Sequence, residues 1–306
     1  MPLLRLALLC LALGVCAAPA FAAETATAAC NRLAANSDDV DYKGKGTSFD
    51  RIDVAEAESA CRKALSEKPD DRHLMYTLGR VLWKKEDYPG TIAQFEAAIA
   101  KGSTIAMIAR GRMYEAGEGA PANYAKAADL YKQALAGGHQ LANTNLAYLY
   151  EVGLGVKKDI VEAERLFREA IKHGDSATIA EARNGIAWMW TMEQMRLPEA
   201  ESLARLAVSA TRDSDSYAKA VYLDTLAWAR HLLGRDLEAV KDSEQANKLS
   251  EQAGMVERLG DIYLALGRKP DAKAQWEKAL KLPAPSKVED PQFDPALIRA
   301  KLAKLG

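Results

Sequence analysis

One 36-residue pattern is written twice in succession between Thr104 and Ser176, and it constrains this chain more than any other feature. The first copy reads ARGRMYEAGEGAPANYAKAADLYKQALAGGH and the second NLAYLYEVGLGVKKDIVEAERLFREAIKHGD. A shift of 36 lays Tyr114 on Tyr150, Glu115 on Glu151, Gly117 on Gly153 and Gly119 on Gly155. It also lays Ala127 on Ala163, Tyr131 on Phe167, Ala134 on Ala170 and Gly138 on Gly174. A fixed period in the thirties marks stacked helical hairpins, because one hairpin cannot bury its apolar face alone. The paired glycines suit turns that need left-handed backbone just past a helix end.

The pattern extends to both sides. Residues 71–103 carry Leu78-Gly79, Phe95 and Ala98 around a turn at Glu86-Asp87-Tyr88-Pro89. Ile186-Ala187-Trp188 and Leu226-Ala227-Trp228 are 40 apart, and the copy at 178–216 lacks the turn glycine. The copy ending at 283 has Leu259-Gly260, Tyr263, Gly267, Ala272, Trp276 and Ala279. Asp213 to Ser216 supplies caps for the helix that follows. Near Asp175–Glu181 the period lengthens from 36 to about 40, a place where a hinge would split the array.

The ends differ from the repeats. MPLLR followed by LALLCLALGVCAAPA, then Ala20-Phe21-Ala22, reads as a secretory signal peptide cut after Ala22, with an uncleaved anchor and a lipoprotein at Cys16 as rivals. Cleavage leaves Cys30 and Cys61, an even pair suited to one disulfide across a polar loop; a metal or redox pair is the alternative. Residues 284–306 read as a Pro-containing loop and a capping helix. A formal net charge of -1 gives no basic excess for nucleic acid or anionic lipid.

These residues resemble two related families. The hairpins at 71–103 and 177–283 are similar to tetratricopeptide repeats, the latter three in number. The pair at 104–176 resembles the Sel-like variant through Tyr114-x-x-Gly117-x-Gly119 and Tyr150-x-x-Gly153-x-Gly155. Ala147 departs from Gly111 of the first copy. The resemblance implies an all-α, right-handed solenoid of antiparallel helical hairpins that binds protein segments in its concave groove. The domain plan is then a signal peptide at 1–22, N-terminal helices with a disulfide-closed loop at 23–70, the repeats at 71–103, 104–176 and 177–283, and the C-terminal cap at 284–306.

Catalytic constellations do not emerge. HExxH, GxSxG and Walker patterns are missing from the sequence. Asp38, Asp39 and Asp41, like Asp213 and Asp215, lack the glycine and terminal Glu of a calcium loop and read as capping and solvated residues. His139 and His173 fall near helix C-termini, where a partly cationic ring is favoured. No cofactor and no metal is expected.

In such solenoids the first helix of each hairpin lines the groove. The residue after each aligned Gly or Ala is then Arg80, Arg112, Tyr148, Trp188, Trp228 or Asp261. One turn on are Trp83, Glu115, Glu151, Thr191, His231 and Leu264. Aromatics and Arg are the usual anchors of binding sites, while a core role for Trp188 and Trp228 stays open. The expected function is a non-enzymatic scaffold or adaptor of the cell envelope, periplasmic or secreted, with a protein or peptide ligand. The alternative is an accessory factor that binds envelope glycan or assists a cell-wall enzyme.

Overall fold

The computed structural model describes residues 24–212, 215–285, 290 and 292–305. The expected signal peptide lies outside them, as do Asp213 and Ser214. The described chain is helical throughout. It begins with α1 (Ala26–Ala34), a 3-10 turn at Phe49–Arg51 and α2 (Val54–Glu67). Six hairpins follow: α3 (Arg72–Lys84) with α4 (Tyr88–Ala100), α5 (Thr104–Ala116) with α6 (Tyr124–Ala136), α7 (Ala142–Val152) with α8 (Ile160–His173), α9 (Ser176–Met192) with α10 (Leu197–Ala210), α11 (Ser216–Leu232) with α12 (Asp236–Leu249), and α13 (Ala253–Ala265) with α14 (Lys269–Ala279). Helix α15 (Pro295–Leu305) packs on α14 and closes the stack. No helix among the described residues is long and apolar enough to cross a membrane.

Polar N-caps start these helices where the sequence places them. Asp53, Asp71, Asp87, Ser103, Asn123, Asp159, Asp175 and Asp215 each accept a hydrogen bond from a first-turn amide. Gly117 and Gly153, at φ 73° and 81°, end α5 and α7 in left-handed backbone, as their spacing predicts. In the hairpin without turn glycines, Gln194 and Arg196 take left-handed positions instead, at φ 49° and 50°.

Aromatic rings from the second helices press on glycines of the first helices. A Cβ on Gly79 would lie 2.5 Å from Phe95, on Gly111 2.5 Å from Tyr131, and on Gly260 2.5 Å from Trp276. In the second Sel-like copy Ala147 replaces that glycine, and the ring turns elsewhere. Phe167 packs on Gly185 of α9, where a Cβ would lie 2.4 Å away, and edge-on to Tyr148 at 5.1 Å. A single apolar cluster accordingly runs from Ile108 to Leu226 across Asp175–Glu181, bridging the point where the sequence suggested a hinge.

Cys30 and Cys61 form a disulfide that ties α1 to α2. The loop it closes is held against α3. His73 bridges Asp39 at 2.7 Å and Asn31 at 2.9 Å, and Arg72 grips Asp41 through two 2.7 Å bonds. Asp39 and Asp41 are thus anchors rather than the solvated or capping residues expected. His139 also departs from expectation: it is buried, and burial lowers its pKa, which disfavours the cationic ring. Closing a loop of this length stabilises by roughly 3–4 kcal/mol. Reduction, or replacement of both cysteines by Ala, is expected to lower the thermal midpoint by about 10 °C, read by circular dichroism with and without reductant.

Candidate functional site

The first helices of five successive hairpins enclose a cleft of about 620 Å³. Its wall runs from Arg112 on α5, through Tyr148 and Glu151 on α7 and Thr178, Glu181, Asn184 and Trp188 on α9, to α11 and α13. Tyr217, Val221, Tyr222, Asp224 and Thr225 come from α11; Gly254, Met255 and Arg258 come from α13. Asp38 of the N-terminal loop closes one end, and Pro285 and Asp290 of the C-terminal loop close the other. Lining positions move from the last turn of α5 to the first turns of α13. That drift follows from successive units being rotated against one another along a solenoid.

The structure brings together Arg112, Tyr148, Glu151 and Trp188 of the twelve positions read from the repeat. The others face elsewhere. Arg80 is buried beneath the N-terminal segment, where it donates to the carbonyls of Ala34 and, at 3.1 Å, Thr47. Trp83 donates to Glu118 at 2.6 Å and packs edge-on to Phe49 and Phe95. Glu115 is half-buried away from the cleft wall. Thr191 is buried and bonds back to the Ala187 carbonyl at 2.7 Å. Trp228 stacks on His231 at 4.7 Å and packs against the C-terminal apolar cluster, while His231 holds Asp236 at 2.6 Å. Asp261 is covered by α15: Lys301 reaches it at 2.6 Å and the Trp276 indole donates to it at 3.1 Å. Leu264 is exposed off the cleft.

The wall is acidic and aromatic. Among the described residues, seven carboxylates line it (Asp38, Glu151, Asp175, Glu181, Asp215, Asp224 and Asp290) against the guanidinium groups of Arg112 and Arg258. Arg258 is already committed. It binds Asp224 at 2.7 Å and Asp290 at 2.6 Å, and its guanidinium lies 4.8 Å from the Trp188 ring. Burial disfavours this cation, but the two carboxylates outweigh that and hold Arg258 charged. Arg112 is exposed, and its charge favours the ionised form of Glu181.

Glu151 is the least compensated group. It is 6 % exposed, and its Oε2 has no hydrogen-bond partner among the described residues. Burial pushes its pKa up to about 8; Lys158 opposes this and Glu193 adds to it. Lys158 itself is engaged with Glu193 at 2.6 Å. Burial also raises the Glu181 pKa, with Arg112 opposing and Asp175 adding. The Oδ1 atoms of Asn184 and Asp224 are buried and unpartnered as well.

Tyr217, Tyr222, Asp224 and Arg258 escape a reading that follows one repeat position, because the wall leaves that position as the array turns. A signal was present within single helices: Thr178, Glu181, Asn184 and Trp188 form a polar-to-aromatic stripe at helical spacing.

The Sel1 repeat family matches residues 104–139 and 140–175. Among solved structures, a tetratricopeptide repeat protein from Parabacteroides merdae superposes with a TM-score of 0.54 at 21% identity, covering 83% of this chain and 92% of that one. A Sel1 repeat protein from Oxalobacter formigenes gives 0.53 at 21% identity, with 74% and 94% covered. PilW, a widely conserved type IV pilus biogenesis factor, gives 0.55 at 16% identity, with 76% and 98% covered. No curated protein matches the chain. The fold is that of tetratricopeptide and Sel1 repeat solenoids, an architecture generally used for protein interaction.

Proposed function

We propose that this protein is a non-catalytic scaffold of the cell envelope that seats a segment of another polypeptide in the cleft between α5 and α13. The carrying observation is the cleft itself: five helices from separate repeats converge on one cavity with Tyr148, Trp188, Tyr217 and Tyr222 on its wall. Rings offer large contact area at low entropic cost, and Tyr217 is 55 % exposed. The envelope setting rests on the disulfide, which persists in oxidising compartments, and on the signal-like start of the sequence.

The test is selection of a displayed random dodecapeptide library on the purified protein. Retained peptides are expected to lose at least about tenfold in affinity, or 1.4 kcal/mol, against a Trp188→Ala/Tyr217→Ser variant whose helicity is unchanged. Retained peptides that bind this variant as well as the parent place recognition outside the cleft. Binding to purified peptidoglycan fragments in place of peptides favours the glycan alternative.

A further inference from the structure

We propose that the cleft recognises a lysine or arginine side chain carried on the partner segment, held between the carboxylates of Glu151 and Glu181 and the rings of Tyr148 and Trp188. This names the chemistry of the occupant and rests on the cleft being the binding site. Three observations converge on it. First, the charge along the wall is one-sided. With Arg258 consumed by Asp224 and Asp290, Arg112 is the one remaining cation among the described lining residues, and it stands against Asp38, Asp175, Glu181 and Asp215, with Glu151 ready to add a further charge when it ionises. An anionic segment meets this wall with repulsion, and a neutral one leaves it unbalanced.

Second, the wall holds buried acceptors without donors. Glu151 Oε2 and Asp224 Oδ1 are carboxylate oxygens on residues 6 % and 3 % exposed, and neither has a hydrogen-bond partner among the described residues. An ionised carboxylate only accepts, so the group that completes it must donate, and Glu151 becomes such an acceptor when it gives up its proton. An acceptor left without a donor in a folded chain is destabilising, and an ammonium or guanidinium toward which the carboxylate turns removes that penalty on arrival. Third, the wall already uses an aromatic face for a cation, with the Arg258 guanidinium over Trp188. Tyr148, Tyr217 and Tyr222 supply more rings of the same kind for the stem and head of a long basic side chain.

Binding then carries a proton signature. Glu151, neutral in the empty cleft near neutral pH because of its burial, ionises beside the incoming cation and releases its proton. Affinity for a basic segment accordingly rises as pH rises from 6 to 8 and levels off above.

The experiment uses the peptides retained from the dodecapeptide library. Titration calorimetry at pH 7, in two buffers of different ionisation enthalpy, measures affinity and proton exchange together. The expected result is a Lys or Arg in each cleft-dependent peptide whose change to Gln weakens binding at least about tenfold. Glu181→Gln and Glu151→Gln are expected to cause a similar loss, and neither adds to the loss from the peptide substitution. Glu151→Gln also abolishes the proton release. Because Gln keeps the shape and removes only charge, a folded variant is expected in both cases. Cleft-dependent peptides that lack a basic residue, or that bind Glu181→Gln unchanged, overturn the proposal while the cleft reading stands. Peptides indifferent to the Trp188→Ala/Tyr217→Ser variant, or a library from which nothing is retained, overturn both.

Discussion

Arg258→Met lowers the thermal midpoint by about 10 °C. The guanidinium is the shared partner of Asp224 and Asp290, at 2.7 and 2.6 Å, and those residues are 3 % and 5 % exposed. Removing it leaves two buried carboxylates without their counter-charge, and breaking a buried pair in this way costs about 3–5 kcal/mol. The substitution acts on two parts of the fold at once, since Asp224 belongs to α11 and Asp290 to the C-terminal loop. Adding Asp224→Asn and Asp290→Asn in the same background removes the stranded charges and recovers much of the loss. Recovery marks desolvated charge as the cause; no recovery marks the lost contact of the Arg258 guanidinium with the Trp188 ring instead.

Glu151→Gln raises the midpoint, and the gain depends on pH. In the folded chain this carboxyl has a pKa of about 8, against an ordinary value of 4.5, because burial disfavours the anion. The folded state therefore binds a proton that the unfolded state releases, and stability falls as pH rises between 4.5 and 8. At pH 7 the penalty is roughly 3 kcal/mol. Gln does not titrate, so the parent and variant differ little below pH 4.5 and diverge toward pH 8. Melting curves at pH 4.5, 6, 7 and 8 read the divergence directly. Equal gains at every pH would assign the effect to packing.

The fold was legible because the repeat writes its own geometry. Gly117 and Gly153 fall where α5 and α7 end, and Gly79, Gly111 and Gly260 lie beneath the rings of Phe95, Tyr131 and Trp276. Four cleft residues, Arg112, Tyr148, Glu151 and Trp188, were reached by the same register. Arg80 and Asp261 were not, for one shared reason. Each occupies a repeat position that is open inside the array and covered at its ends, Arg80 by the N-terminal loop and Asp261 by Lys301 of α15. Those covering segments do not repeat, so no periodic rule anticipates them. Tyr217 and Asp224 were missed because rotation from hairpin to hairpin carries the wall toward the start of α11.

Phe167 has a consequence for how the chain divides. Its ring belongs to one hairpin by sequence and to the next by packing, since it rests on Gly185. A fragment cut at the end of the second Sel1 repeat would expose that ring and the face of α8 around it. A soluble excerpt that keeps Phe167 dry must run past Gly185, so the modular seam of the polypeptide falls within α9 and not between the copies that the period counts.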